Sequence, residues 1–175
     1  RETKVKGMAF PVPEPGKITK TQHENYKFEM VVKDGLKTPW AIAFLPDGRK
    51  LVTEKSGRLR LIDENGELHP DPIEGTPEVI EHGQGGLLEV AAHPNYVENG
   101  WIYLGFADGW IEEVAGGKKP KVHALTAVVR GKIKDHVWVD QEWIYKADKS
   151  FYTGAGVHFG TRFVFDDGYL YFVVG

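Results

Sequence analysis

Short apolar runs recur along this chain in sets, and each set opens on its most continuous run. Trp40-Ala41-Ile42-Ala43-Phe44 is one such opening; it stops at Pro46-Asp47-Gly48 and is followed by Leu51-Val52-Thr53-Glu54. After Ser56-Gly57, the stretch Arg58-Leu59-Arg60-Leu61-Ile62-Asp63 alternates cleanly and ends at Asn65-Gly66. Alternation marks a half-buried strand, and Asp-Gly or Asn-Gly supplies the positive φ angles that two-residue hairpins need. Pro77 to Ile80 is the expected fourth, outer strand of this set.

The order then repeats. Leu87 to Ala92 is apolar, His93-Pro94-Asn95 turns, and Trp101 to Phe106, Leu125 to Arg130 and Trp143 to Lys146 are the expected second, third and fourth strands. A third round runs from Phe159 to Phe165, turns at Asp167-Gly168 and continues from Tyr169 to Val174. Helical spacing never persists for the roughly 10–12 residues a helix requires. Sets of about four strands predict β-propeller blades, whose innermost strand is buried on both faces and whose outer strands alternate. The expected fold is therefore all-β, a propeller of which this chain covers about two and a half blades, with the third cut short. A β-sandwich is the alternative that strand spacing alone leaves open.

Ahead of the repeats, residues 1–25 are polar and carry Pro11, Pro13 and Pro15, which predicts an extended N-terminal strap. Residues 26–175 form the expected partial propeller, opening on an alternating strand from Tyr26 to Val32 that ends at Asp34-Gly35.

Composition refines this picture in a few places. With 41 % hydrophobic and 27 % charged residues the chain is an ordinary globular sequence, and 21 glycines with 12 % aromatics favour strands joined by tight turns. A net charge of −3 gives no reason to expect nucleic acid or an anionic membrane as partner. No apolar run approaches the roughly 18 residues of a membrane span. Cysteine is absent, so disulfides, thiolate metal sites and a cysteine nucleophile are excluded. The chain starts at Arg1 with no signal-peptide pattern, as a processed or trimmed start would.

Two glycine-rich stretches carry the candidate chemistry. In Glu81-His82-Gly83-Gln84-Gly85-Gly86-Leu87-Leu88, three glycines leave Gln84 exposed at the mouth of an apolar strand, where its amide can both donate and accept. The pattern is Gly-x-Gly-Gly with no helix after it, so it is not a dinucleotide fingerprint. In Gly154-Ala155-Gly156-Val157-His158-Phe159-Gly160-Thr161-Arg162 a histidine sits at the corresponding place. Entries to innermost strands open onto the same end of a propeller's channel, so Gln84 and His158 are expected to face one another from neighbouring blades. The bland readings are a positive-φ turn for the first stretch and a strand cap for the second.

Other candidates carry less. His93 reads as a turn residue; His23, His69, His123 and His136 lack metal-ligand spacing, and His82 borders Gln84 without a role of its own. Asp63-x-Asn65-Gly66 lacks the later glutamate of a calcium loop and reads as a hairpin turn, and Asp166-Asp167 is a turn pair. No Gly-x-Ser-x-Gly occurs, so a serine hydrolase has no support.

With Trp40-Ala41-Ile42-Ala43-Phe44-Leu45-Pro46-Asp47-Gly48, then Gly83-Gln84-Gly85-Gly86-Leu87-Leu88 and Ala92-His93-Pro94, then His158-Phe159-Gly160-Thr161-Arg162 and Asp167-Gly168, the chain resembles the glucose/sorbosone dehydrogenase family from about Tyr26 onward. That family includes soluble aldose sugar dehydrogenases that use pyrroloquinoline quinone (PQQ). The resemblance implies a six-bladed β-propeller, PQQ and Ca2+ as cofactors, an aldose sugar as substrate, an external electron acceptor and a periplasmic or secreted location. It also implies His158 as catalytic base and Gln84 as substrate-binding residue. Arg162 is a possible cofactor contact or, equally, one half of a structural ion pair. The remaining quinone and calcium ligands are expected beyond Gly175, with none of the metal ligands in this chain. Val157 stands where some glucose dehydrogenases of the family carry aspartate, which favours the broader aldose-type branch. At roughly 40–45 residues per blade, 175 residues do not supply six blades, and the isolated chain is expected to be inactive. The alternative within the same resemblance is a non-catalytic binding propeller of the Hedgehog-interacting kind, against which the missing cysteines argue.

Overall fold

The structure, a computed structural model, describes residues 15–175 and divides into two compact units, 1–33 and 34–175. Within the first unit, β1 (Ile18–Lys20) and β2 (Asn25–Lys27) form an antiparallel hairpin with Ile18 opposite Lys27. Thr21 closes its turn, donating from Oγ1 to the Glu24 carbonyl at 2.7 Å and accepting from the Glu24 amide at 3.0 Å. Of the extended strap expected over residues 1–25, residues 18–25 belong to this hairpin, and residues 1–14 lie outside the described residues. The strand expected from Tyr26 to Val32 stops at Lys27. Beyond it Phe28 accepts from the Gly16 amide at 2.8 Å, while Met30 and Val31 are exposed. Alternation fits a strand, but a ladder needs a partner, and none pairs with this segment among the described residues.

The second unit begins with a three-stranded meander, β3 (Pro39–Phe44), β4 (Lys50–Glu54) and β5 (Leu59–Ile62), paired in chain order. Ala43 faces Leu51 and Thr53 faces Leu59. Gly48, at φ +89°, makes the first turn as its Pro-Asp-Gly sequence demands. Burial on both faces was expected of the opening strand, but it falls to the middle one: Leu51 to Glu54 are all buried, whereas Trp40, Ile42 and Phe44 of β3 are exposed. The opening strand packs against β6, and its Trp40, Ile42 and Phe44 side chains are left open to solvent. The outer strand expected at Pro77 to Ile80 does not form. Its backbone crosses to the next sheet, the Ile80 amide donating 2.8 Å to the Ala107 carbonyl, so it has no ladder to offer β5.

That next sheet is a four-stranded meander, β6 (Leu87–Ala92), β7 (Ile102–Glu112), β8 (Lys121–Lys134) and β9 (Val137–Tyr145). A single helical turn, α1 (Tyr96–Asn99), lies between β6 and β7 and is closed by Gly100 at φ +68°; one turn is too short to leave a period in the sequence. Strands β7 and β8 run well past their expected ends as a ribbon in register from Ile102–Gly131 to Glu112–Lys121. Gly109 makes this extension possible, since a Cβ there would lie 1.9 Å from the His123 carbonyl oxygen. The last pair, β10 (Val164–Asp166) and β11 (Tyr169–Tyr171), is shorter than expected. Gly160 and Thr161, at φ +71° and +79°, take the backbone out of the β region just where the longer strand would have run.

Two apolar clusters hold the unit. Leu51, Leu59, Leu87, Ile102, Leu104, Phe106, Val129 and Trp138 pack between the first two sheets, and Leu88, Ala107, Ala124 and Phe159 form a smaller cluster. Phe159 is the residue after His158, so this second cluster anchors the candidate histidine's own segment. Successive meanders packed side by side, with β3 against β6, are the blade arrangement the repeat predicted.

Candidate functional site

The two glycine-rich stretches meet backbone to backbone. The Gln84 amide donates to the Gly156 carbonyl at 2.7 Å, and the His158 amide donates to Gln84 Oε1 at 2.9 Å. His82 Nε2 lies 3.3 Å from the Gly154 carbonyl oxygen. The glycines allow this approach: a Cβ on Gly83, already at φ +58°, would lie 2.1 Å from the Gly156 oxygen. Gly83→Ala is expected to cost about 2–5 kcal/mol, from left-handed backbone strain and overpacking together. Urea unfolding measures this, and a loss below about 1 kcal/mol would mean that the two stretches separate freely.

The neighbouring blade joins the same junction. Lys55, just past β4, donates from Nζ to the Gly83 carbonyl at 2.7 Å, and its own carbonyl accepts from the Leu87 amide at 3.1 Å. Gly86 must stay small, because a Cβ there would lie 2.1 Å from the Lys55 oxygen. Lys55 was missed in the sequence, where a lysine after a strand carries no signal.

His158 has a left-handed backbone, φ +62°, which is uncommon for a residue with a side chain. It is exposed and borders a cleft of about 560 Å³ whose wall includes Tyr145, Asp148, Phe151, Thr153 and Val157. Asp148 caps a one-turn 3-10 segment, Lys149–Phe151, by accepting from the Ser150 amide at 2.9 Å and from its hydroxyl at 2.7 Å. Those two bonds hold its carboxyl below the usual aspartate range. Phe151 stands 67 % exposed on the same wall, an apolar face beside a polar rim. Sequence reasoning missed Asp148 and Phe151; the Asp-x-Ser cap was the available signal.

Arg162 turns to a carboxylate: its Nη1 lies 3.0 Å from Glu89 Oε2, and it is absent from the wall of the cleft. This is the ion-pair alternative. The break at Thr161 explains why four-residue spacing does not carry Arg162 to the same side as His158. Burial pushes the Glu89 carboxyl up, and Arg162 opposes that shift. Gln84 and Glu89 therefore each grip the partner stretch, the first at His158 and the second at Arg162.

The lesser candidates are accounted for locally. His93 Nδ1 accepts from the Asn95 amide at 3.0 Å, within its turn. The Asp63 carboxylate accepts from the amides of Asn65 and Glu67, at 3.0 and 2.7 Å, closing a hairpin. His69 and His136 stack on each other with ring centroids 3.8 Å apart, on loops remote in sequence from the glycine stretches.

Comparison with known proteins adds relatives to this geometry. The family model described as Glucose / Sorbosone dehydrogenase matches residues 36–175. Aldose sugar dehydrogenase YliI of Escherichia coli (strain K12) is 36 % identical over 149 residues, which are 83 % of this chain and 37 % of that protein. Quinoprotein glucose dehydrogenase B of Acinetobacter calcoaceticus is 32 % identical over 94 residues, 51 % of this chain and 19 % of that one. A crystal structure of a glucose dehydrogenase superposes with a TM-score of 0.68 at 37 % identity, covering 82 % of this chain and 39 % of that one. The chain thus spans about two fifths of the length of the solved relative and of the E. coli protein, and the shared fold is the β-propeller. Because the family match takes in both glycine-rich stretches and every sheet of the second unit, the chain is a member of the glucose/sorbosone dehydrogenase family.

Proposed function

We propose that the cleft beside His158 receives an aldose sugar and that His158 takes the proton from its anomeric hydroxyl, as the first half of an oxidation at C1 to the lactone. The observation that carries this reading is the junction itself: the entries of two successive blades meet, braced by Lys55 from the β4–β5 turn, and leave exposed a histidine whose main chain is fixed by Gln84 Oε1. An imidazole is the side chain best suited to accept a proton near neutral pH. Gln84 does not itself line the cleft, but its Nε2 has hydrogens left to donate to a hydroxyl of a sugar that extends past His158, which would orient the ring. Phe151 offers an apolar face and Asp148 an acceptor in the same cleft.

The oxidant is proposed to be PQQ, bound with Ca2+; the name of the Acinetobacter relative supports a quinone. The residues here do not form a cradle for it. Among the described residues no lysine or arginine lines the cleft, and no group of three or more His, Asp or Glu could hold a metal. Quinone and calcium would be held by parts of the propeller outside these 175 residues, and the roles argued here stop at the sugar's proton. An external electron acceptor and a periplasmic or secreted setting complete the reading.

Dye-coupled oxidation of aldoses by the complete propeller, with added PQQ and Ca2+, tests it. Sugar-dependent dye reduction is expected, and the isolated chain is expected to be silent. Sugar binding without dye reduction would replace this reading with that of a non-catalytic binding propeller.

A further inference from the structure

We infer that Gln84 is a positioning residue for His158, closing a side-chain imitation of a strand bridge that holds the histidine in its left-handed backbone. Two bonds from this one residue bracket Val157: its amide donates to the Gly156 carbonyl at 2.7 Å, and its Oε1 accepts from the His158 amide at 2.9 Å. A backbone amide can only donate, so the amide atom facing His158 must be oxygen. The Nε2 group, in the same plane at the other edge of the amide, is thereby pointed away from the His158 amide. One side chain then does two things that the glutamine's length couples. Oxygen fixes where the imidazole starts from, and nitrogen is left to meet a ligand hydroxyl.

The need for such a clamp follows from the backbone. At φ +62° a histidine is in a sparsely populated region, and without an outside restraint it relaxes toward the β region. Its flanks are already committed. Gly156 is held at φ +67° beneath the His82 ring, and the Phe159 carbonyl accepts from the buried Thr126 hydroxyl. Between those two fixed points the His158 amide has the Gln84 side chain as its partner. A shorter side chain cannot bridge, and an apolar one cannot accept.

The test uses three exposed-site variants and a readout that needs neither sugar nor quinone. Gln84→Asn and Gln84→Met are expected to speed hydrogen exchange of the His158 amide by about tenfold or more, the scale of one lost hydrogen bond. Gln84→Glu, which keeps the length and the acceptor, is expected to keep the protection. Gln84 is exposed, so none of the three removes core packing, and unchanged exchange in β7 reports that the fold is intact. Equal His158 exchange in all four proteins would overturn the clamp. The kinetic arm rests on the proposed function: Gln84→Met should lose turnover, and Gln84→Glu should recover most of it at a raised KM, because the clamp returns and the donor does not. Absence of sugar oxidation would sink that function and leave the exchange result standing, so the two failures are distinguishable.

Discussion

Glu54→Ala is expected to remove about 3–5 kcal/mol of stability, the cost of stranding one member of a buried ion pair. The Glu54 side chain is fully buried at the end of β4. It accepts from the Lys37 amide, pairs with Arg58 Nε at 2.5 Å and lies 3.7 Å from Arg60 Nη1. Arg60 is itself 5 % exposed. Its terminal nitrogens donate to the carbonyls of Gly35 and His69 at 2.9 Å and of Pro70 at 3.2 Å, and its Nε has no partner among the described residues. Those carbonyls solvate the guanidinium, but the compensating charge comes from Glu54. Without it a cation stays inside the first blade with one donor already unmet, and desolvation dominates. The paired replacement Glu54→Leu with Arg60→Met should recover much of the loss, since it leaves no enclosed charge uncompensated: the remaining partner, Arg58, is 33 % exposed and reaches water. Urea denaturation of the single and double variants decides the matter. A cost below about 1 kcal/mol for Glu54→Ala would mean that Arg60 reaches water, as exposed pairs do.

That network was not legible in the sequence, and the reason separates what could be read from what could not. Turn chemistry is local: Asp47-Gly48, Asn65-Gly66 and Asp167-Gly168 all delivered the positive φ their residues imply. Strands β3 to β5 accordingly fall within a residue or so of their expected places. Partnership is not local. Pro77 to Ile80 and Tyr26 to Val32 have strand-like residues, yet one spends its amide on a different sheet and the other has a ladder partner only as far as Lys27 among the described residues. The alternating Arg58-Leu59-Arg60 run promised solvent for Arg60, but Glu54 and three loop carbonyls enclose it. At the candidate site the glycine spacing marked Gln84 and His158, and the repeat brought them together. The repeat could not say that they meet through the His158 main chain, because that depends on where Gly156 and Thr161 bend the backbone. Asp148 and Phe151 reach the cleft by the same kind of loop geometry.

His158→Ala in the complete propeller should lower turnover by about 10²–10⁴-fold, the usual contribution of a positioned general base. In barrier terms that is roughly 3–5 kcal/mol at about 1.4 kcal/mol per tenfold. The side chain is exposed, so its removal should leave stability nearly unchanged, and the loss should fall on kcat while KM moves little. Alanine also alters the backbone preference at φ +62°, and a lost rate could be blamed on the main chain instead of the imidazole. His158→Asn removes that ambiguity, because asparagine tolerates the left-handed region better than alanine, while the backbone amide that donates to Gln84 Oε1 is the same in both variants. If the imidazole carries the proton, asparagine is as slow as alanine despite a better-kept backbone. If asparagine keeps turnover within about tenfold of the parent while alanine does not, the residue matters as a conformational hinge and the base is another group. Asp148, held below the usual aspartate range by Ser150 and lining the same cleft, would then be the group to replace next.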